Sequence, residues 1–199
     1  MKLFPVALIC LATLAGCAFG TRKVNLLYGD RVTTKVADPR GDARVAVARF
    51  RDGRPSGESG KRLGWIRDTY GIPTATVVAR QDPVLWVSDG VARALESRGY
   101  RVERVDSPNS AGSLPTITGV VTRVYSGMYS NIDAHVEASV TLERNGENIS
   151  STNCNGTIVA PAGTISASEY EAVFTATMDQ FITDCIPRLI EPLEEATDK

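Results

Sequence analysis

The stretch that most limits how this chain can fold is an alternation of apolar and polar residues that ends in a tight-turn signal. Every second position is apolar at Ala134, Val136, Ala138, Val140 and Leu142, with polar residues between them. A period of two is typical of a strand with one face on a core and the other in water. Asn145-Gly146 follows, a pair preferred in two-residue type I′ hairpins. We therefore expect an antiparallel hairpin whose return strand covers residues 147–159.

Capping residues and apolar stripes indicate two helices. The first is expected over residues 83–98, with Asp82 as N-cap and Gly99 as the C-terminal stop. The second is expected to open with a capping box at residues 168–171 and to end at Pro192. Each carries apolar residues at the i, i+3, i+4 spacing of a helix that lies on a core.

Further strands are expected over residues 43–50, 76–79, 100–105 and 117–125. Residues 51–70 are rich in glycine and charge, so we interpret them as a long loop. The order of elements is β-α-β-β-β-β-α. It predicts an α+β fold with a single mixed, mostly antiparallel sheet and two main helices, placed after a lipidated tether.

The N-terminus has the layout of a bacterial lipoprotein signal. Lys2 precedes an apolar run over residues 3–14, which is short of the about 20 residues that a membrane-spanning helix needs. Leu-Ala-Gly then leads to Cys17, and small residues at this place suit a lipoprotein peptidase. We predict removal of residues 1–16 and acylation of Cys17, for which palmitate is a typical chain. An ordinary secretory signal is the alternative.

These predictions divide the chain into four parts. Residues 1–16 are the signal peptide, 17–42 a lipidated tether that can contribute one strand, 43–192 the α+β domain and 193–199 a disordered acidic tail. Ala18 follows the cysteine, whereas Gram-negative lipoproteins retained at the inner membrane carry Asp there. By that similarity we expect a lipid anchor in the outer membrane, with the domain facing the periplasm.

Cys154 and Cys185 remain once the signal cysteine and the acylated cysteine are set aside. An oxidising compartment favours a disulfide between them, and two buried thiols are the alternative. The hairpin register conflicts with this pairing. Counting back from the turn places Ile149 opposite Leu142 on the core face, and Cys154 opposite Glu137 on the polar face. A bulge near residues 153–155, a helix over that face, or the absence of the bridge would each resolve the conflict.

Composition and the scarcity of histidine argue against several functions. The 22 Lys and Arg residues nearly balance the 23 Asp and Glu residues, so the chain lacks the basic excess of a nucleic-acid-binding protein. His135 is the only histidine and is expected to face solvent, which excludes a Ser-His-Asp triad and a multi-histidine metal site. We predict no enzyme activity, no catalytic residue, no metal and no cofactor.

The most suggestive local feature is a basic cluster around a tryptophan in residues 49–67. The residues that we expect to contact a partner are Arg51, Arg54, Arg62, Trp65 and Arg67. Arginine forks suit carboxylates and phosphates, and tryptophan is a frequent anchor of interfaces. The alternative is a solvated loop whose arginines pair with Asp52, Glu58 and Asp68.

Several short motifs resemble a known family. They are VAVARFRDGR at 45–54, LG at 63–64, YG at 70–71, DPVLWVSDG at 82–90, AL at 94–95 and GY at 99–100. Together with the lipoprotein signal, they resemble the YajG-type family of bacterial lipoproteins. The resemblance implies an outer-membrane lipoprotein of uncharacterised activity and assigns no functional residue. The order of elements is also similar to auxiliary lipoproteins of ABC transporters and to the amino-terminal domain of TolB, a likeness of fold only.

Two functions of different classes follow. The first is a non-enzymatic accessory module that is anchored to the membrane by lipid and docks onto a protein partner in a transporter, secretion system or flagellar structure. The second is a ligand-binding lipoprotein that recognises lipid head groups or cell-wall fragments in a groove between helix and sheet. A hydrolase is a distant third.

Overall fold

The computed structural model describes residues 20–35, 43–163 and 166–197. Within them, nine strands form one open sheet: β1 (Gly20–Val24), β2 (Arg44–Ala48), β3 (Arg51–Asp52), β4 (Arg62–Arg67), β5 (Pro73–Ala79), β6 (Arg101–Val105), β7 (Thr116–Met128), β8 (Asn131–Arg144) and β9 (Glu147–Pro161). The helices of this part are α1 (Asp30–Thr33), α2 (Pro83–Glu96) and α3 (Ala167–Thr197), with short 3₁₀ helices at Ser56–Glu58 and Pro108–Ala111. The predicted α+β fold with two main helices is confirmed.

The long strand β7 organises the sheet. On one side it pairs antiparallel with β8 along most of its length, and β8 pairs in turn with β9. On its other side it pairs in parallel with β2, β3 and β4 in succession. From there β2 leads to β6, and β4 leads through β5 to β1. The longest pairings are antiparallel, as expected.

Both long helices lie on the same face of the sheet. They contact each other, because Met178 of α3 lies against Gly90 of α2. The side chains of Tyr170, Phe174 and Phe181 on α3 are completely buried there, so the space between helix and sheet is filled. We call the opposite face of the sheet the outer face. No helix in the described part is long and apolar enough to cross a membrane.

The segment predicted as a long loop contains a strand of the sheet. Within residues 51–70, the structure has β3, a 3₁₀ helix and all of β4. Leu63 and Ile66 are buried, but Leu63 lies in a bulge that breaks the alternation. Gly64 has φ 156°, and a Cβ there would overlap the Ser126 carbonyl. The glycine that suggested a loop therefore allows close approach of two strands.

The first long helix matches its prediction. The Asp82 side chain accepts hydrogen bonds from the backbone N–H groups of Val84 (2.9 Å) and Leu85 (3.4 Å). Gly99 has φ 91°, the left-handed conformation expected after a helix end.

The second long helix starts and ends differently from the prediction. Its capping box is formed by Ser166 and Glu169, since the Ser166 N–H donates to Glu169 Oε2 (2.8 Å) and the Glu169 N–H donates to Ser166 Oγ (3.3 Å). The helix continues past Pro192 to Thr197 because the buried Leu193 extends its apolar stripe. The residues from 193 to 197 are therefore helical, contrary to the predicted disordered tail.

The described part of the predicted tether packs on the domain. Residues 20–24 form β1, the strand that this segment was expected to contribute. Val24, Leu26 and Val32 are buried, and the Trp86 Nε1–H donates to the Leu27 carbonyl (3.2 Å). Residues 17–19 and 36–42 lie outside the described residues.

A bulge beside the turn decides the register of the hairpin. Asn145 and Gly146 have φ 54° and 81°, as a type I′ turn requires. Leu142 pairs with Ser150 and Glu143 with Asn148, so Ile149 is an extra, exposed residue. The predicted pairing of Ile149 with Leu142 on the core face is wrong.

The same bulge makes the disulfide possible. Beyond it, Cys154 pairs with Ala138 on the buried face instead of with Glu137 on the polar face. Cys154 is bonded to Cys185 of α3, with a Cα–Cα distance of 5.0 Å. A bulge was one of the predicted resolutions, but it lies at Ile149, closer to the turn than residues 153–155.

Candidate functional site

Strand β4 places three of the predicted contact residues on the outer face. Trp65 is paired with Gly127 in the neighbouring strand β7 and with Thr76 in the neighbouring strand β5. Arg62 precedes Trp65 by three residues, and the bulge at Leu63 places both side chains on the same face of the sheet. The guanidinium carbon of Arg62 lies 5.1 Å from the centroid of the Trp65 indole ring. This distance is within the range of a cation–π contact.

Arg67 follows Trp65 by two residues, so the strand pleat places both on the same face. Arg67 Nη1 donates to the Gly71 carbonyl (2.9 Å), and Arg62 Nη1 donates to the Gly57 carbonyl (3.4 Å). A guanidinium carries five N–H donors. Each side chain is held by a backbone carbonyl while the side chain as a whole stays exposed.

A second arginine–aromatic pair lies next to the first, on β7. Tyr125 precedes Gly127, the neighbour of Trp65, by two residues and so faces the same way. The guanidinium carbon of Arg123 lies 5.0 Å from the Tyr125 ring centroid. Arg123 Nη1 also approaches Glu137 Oε1 at 3.6 Å. We call Arg62, Trp65, Arg67, Arg123 and Tyr125 the arginine–aromatic surface.

The remaining two predicted contact residues are not part of this surface. The Arg54 side chain is 0% exposed, and its Nε and Nη2 donate to the two Asp52 oxygens at 2.9 and 2.8 Å. It also donates to the Gly60 carbonyl (2.8 Å), so it closes its own loop, as the internal-pairing alternative proposed. Arg51 is exposed, but it pairs with Val120 of β7. Strand β4 begins to pair with β7 six residues further on, at Ser126.

Acidic groups border the arginine–aromatic surface. Burial raises the pKa of Glu58, which lies in the 3₁₀ helix. The positive charges of Arg123 and Arg54 partly offset this rise. Burial also raises the pKa of the Tyr125 phenol, and Asp133 adds to this effect. The surface therefore combines ordered cations with partly desolvated acids.

His135 lies on the outer face as predicted, but it is only partly accessible. Its ring nitrogens lie 3.3 Å from Asp133 Oδ2 and 3.2 Å from Thr157 Oγ1, and the ring packs near Tyr125. Its neighbours thus hold the ring in place. In the part of the chain that the structure describes, no group of three or more His, Cys, Asp or Glu side chains could hold a metal ion.

Two shallow cavities lie where β2 ends and α2 begins. They measure about 260 and 330 Å³ and share Arg49. The Arg49 guanidinium is already bound to Asp82 (2.7 Å), and Arg104 at the first cavity is bound to Asp89 (2.9 Å). Arg49 and Arg104 are thus neutralised within the fold, whereas Lys61 at the second cavity binds the Arg80 carbonyl (2.8 Å).

The acylation site Cys17 lies outside the described residues. Sequence reasoning missed Arg123 and Tyr125, although both stand on a predicted strand at the i, i+2 spacing that places them on one face. Their proximity to Trp65 depends on the pairing of β4 with β7, which no local pattern indicated.

The sequence matches no family model and no curated protein. Among solved structures, protein XCC0632 from Xanthomonas campestris, a DUF330 protein, matches with a TM-score of 0.62 and 17% identity, over 89% of this chain and 99% of that one. A second, uncharacterised protein matches with a TM-score of 0.53 and 10% identity, over 86% and 99%. At these identities, the likeness shows a shared fold.

Lipoprotein GNA1162 from Neisseria meningitidis is a more distant structural neighbour. It has a TM-score of 0.36 and 10% identity, over 65% of this chain and 93% of that one. The shared fold is therefore inferred from the two structures with TM-scores above 0.5.

Proposed function

We propose that this protein is an envelope lipoprotein that docks, without catalysis of its own, onto a larger envelope complex such as a transporter, a secretion system or a flagellar structure. The observation that carries this proposal is the arginine–aromatic surface on the outer face, which neither long helix covers. The anchor is the lipid expected on Cys17. It would lie in the outer membrane, with the domain facing the periplasm. It rests on the Leu-Ala-Gly-Cys sequence and on Ala18.

The composition of this surface suits a protein partner. Tryptophan, tyrosine and arginine are the side chains that contribute most often to binding energy at interfaces. Here the guanidinium groups of Arg62 and Arg123 already lie over aromatic rings. Because these side chains are ordered before contact, less conformational entropy is lost on binding. The rings stand on strands of the sheet, which gives them a rigid support.

The exposed arginines indicate the chemistry of the partner. Arg62 and Arg67 each bind a backbone carbonyl and keep further N–H donors for another group. Carboxylates match the planar fork of a guanidinium. We therefore expect an acidic patch on the partner and binding that weakens as the salt concentration rises.

The alternative function, ligand binding in a groove between helix and sheet, is less well supported. That space is filled by fully buried side chains of α3, among them Tyr170, Phe174 and Phe181. The outer face is a surface instead of an enclosed pocket. Lipid or glycan that co-purifies with the protein and is detected by mass spectrometry would favour this alternative.

The proposal is tested by cross-linking in cells that produce the full-length protein. We expect one dominant protein partner, and we expect Trp65→Ala combined with Arg62→Ala to abolish its capture. An interface anchor contributes about 2 kcal/mol, which is about thirtyfold in Kd. The matched control combines Leu85→Ala with Arg31→Ala, which removes an exposed apolar and an exposed basic side chain elsewhere.

Two results would contradict the proposal. Unchanged capture by the Trp65 and Arg62 variant would exclude the arginine–aromatic surface. Recovery of the protein alone, with wild-type and variant chains equally abundant, would argue against a stable protein partner. Circular dichroism of the purified variants checks that each remains folded.

A further inference from the structure

The predicted lipid anchor and several strand ends meet at one end of the sheet. The pairings that define this end are Gly20 with Ala75, Ile66 with Met128, Met128 with Ile132, and Asn131 with Pro161. They show that β1, β5 and β8 begin here, and that β4, β7 and β9 end here. We call this the anchor-proximal end. The Asn145-Gly146 turn lies at the opposite end of β8.

The anchor-proximal end carries the most exposed apolar side chains of the described part of the chain. These are Tyr70 (88% exposed), Val159 (61%), Ile72 (58%) and Tyr129 (57%). Tyr70 and Ile72 lie in the β4–β5 turn, Tyr129 in the β7–β8 turn, and Val159 two residues before the end of β9. Scattered apolar residues are ordinary on a protein surface, but these four lie at one end of the sheet, and we call them the apolar patch.

The turn that presents this patch is held in shape by hydrogen bonds. Asp68 Oδ1 accepts from the backbone N–H groups of Tyr70 and Ile72, both at 2.9 Å. Arg67 binds the Gly71 carbonyl, and the Tyr129 hydroxyl donates to the Thr69 carbonyl (2.5 Å), which joins the two turns. The two side chains therefore point outward from an ordered turn.

Chain length brings the lipid to the same place. Cys17 is three residues before Gly20, and an extended chain covers at most about 3.6 Å per residue, so Cys17 lies within about 11 Å of Gly20. Gly20 pairs with Ala75, and Ile72 is also three residues from that pair. Acyl chains on Cys17, as expected from the sequence, would thus enter the membrane close to the apolar patch.

We propose that the anchor-proximal end rests on the lipid bilayer, with Tyr70, Ile72, Tyr129 and Val159 in the head-group region. Tyrosine is enriched at this depth because its ring is apolar and its hydroxyl is polar. The inference rests on the lipid anchor of the proposed function, but not on any protein partner. The bilayer is the occupant because the short link to Cys17 keeps it within reach of these side chains.

This contact fixes the direction of the whole sheet. Strand β8 has 14 residues, and a rise of about 3.4 Å per residue makes it about 45 Å long. The Asn145-Gly146 turn then points away from the membrane. The arginine–aromatic surface, on strands that end at the bilayer, faces sideways close to the lipid.

The test uses the full-length lipidated protein in vesicles of phosphatidylethanolamine and phosphatidylglycerol. A spin label is attached to Ile72→Cys, and Ile149→Cys is the matched control, an exposed isoleucine beside the distal turn. Cys154 and Cys185 are bonded to each other and do not react. We expect the label at position 72 to lose accessibility to an aqueous nickel chelate and keep access to oxygen, which dissolves in lipid. The label at position 149 stays accessible to nickel.

Each other outcome overturns the inference in a recognisable way. Equal nickel accessibility at the two positions on protein that mass spectrometry shows to be acylated would overturn the bilayer contact alone. Protection of position 72 from both reagents would indicate contact with another copy of the protein instead of lipid. Full-length protein without acyl chains on Cys17 would overturn the proposed anchor together with this inference.

Discussion

Arg54 is the buried charged residue of the described part of the chain, and its burial gives it a structural role. Its guanidinium binds both Asp52 oxygens and the Gly60 carbonyl. Arg54→Ala should lower the free energy of unfolding by about 2–3 kcal/mol, because hydrogen bonds to charged groups are lost inside the loop. Arg62→Ala is the control and should change it by about 0.5 kcal/mol or less. Urea denaturation measures both, and equal effects would contradict the assigned roles.

The ion pair of Arg54 with Asp52 also predicts that the free energy of unfolding depends on pH. The hydrogen bonds from Arg54 hold the pKa of the Asp52 carboxyl below its usual range. A carboxyl with a lowered pKa in the folded state adds stability above its unfolded pKa of about 3.9, and this stability is lost as the pH falls through the folded value. The stability gap between wild type and Arg54→Ala should therefore narrow below about pH 4. A gap that stays constant down to the acid unfolding of the protein would show that Asp52 does not contribute.

At the scale of elements, α3 protects an edge of the sheet. Strand β9 lies at the edge, and its outward backbone groups are bound by helix side chains. The Asn155 N–H donates to Asp184 Oδ2 (3.1 Å), and the Thr157 N–H donates to Gln180 Oε1 (2.9 Å). The disulfide joins the same two elements. Because free edges invite pairing between chains, this arrangement also limits aggregation.

Removal of the disulfide should therefore loosen the edge as well as lower stability. Replacing both cysteines by serine should lower the free energy of unfolding by about 2–4 kcal/mol, the usual effect of closing such a loop. Hydrogen exchange should increase at the backbone amides of Asn155 and Thr157, which bind the helix. Backbone amides of β5, which lies on the other side of β7 from β9, serve as the internal control. Unchanged exchange at β9 would show that the hydrogen bonds hold the helix without the disulfide.

The bulge at Ile149 can be tested by deletion. Without this residue, Ser150 follows Asn148 directly, and the pairs with Leu142 and Glu143 become a regular ladder. The register at Cys154 is unchanged, so the disulfide should still form. Deletion of both Asn148 and Ile149 shifts the strand by one residue and turns Cys154 to the outer face. We expect two free thiols in the double deletion and none in the single one by thiol titration of the unfolded proteins, with Cys17 acylated in both. Free thiols in the single deletion would contradict the observed register.

These elements also show what the sequence can predict. The hairpin and α2 were found because Asn145-Gly146 and the Asp82 cap are local signals that act in the structure as they do elsewhere. Strand β4 was missed because Gly64 and the bulge at Leu63 hide its alternation, and the pairing with β7 that explains both is distant in sequence. The arginine–aromatic surface depends on that pairing, so only its β4 half was predicted. The bulge at Ile149 could not be predicted, because an apolar residue at this position is compatible with either register of the hairpin.

For the whole molecule, the two proposed surfaces have separate tasks. In these proposals, the apolar patch at the anchor-proximal end sets the orientation on the membrane, and the arginine–aromatic surface contacts the partner. They share the strand β4, since Arg67 stands on the outer face and also holds the turn that carries Tyr70 and Ile72. The proposed orientation on the lipid would therefore set the direction in which the arginine–aromatic surface faces a partner.

Because Cys17 is only three residues before Gly20, we expect the proposed orientation to depend on tether length. A patch of a few side chains binds weakly by itself, so it depends on the high local concentration that a short tether gives. Insertion of about ten Gly and Ser residues between Cys17 and Gly20 increases the average tether length to about 20 Å. The insertion should leave the unfolding free energy unchanged, yet it should restore much of the nickel accessibility of a spin label at Ile72→Cys. Full protection in the long-tether protein would show that the patch holds the membrane without help from the anchor.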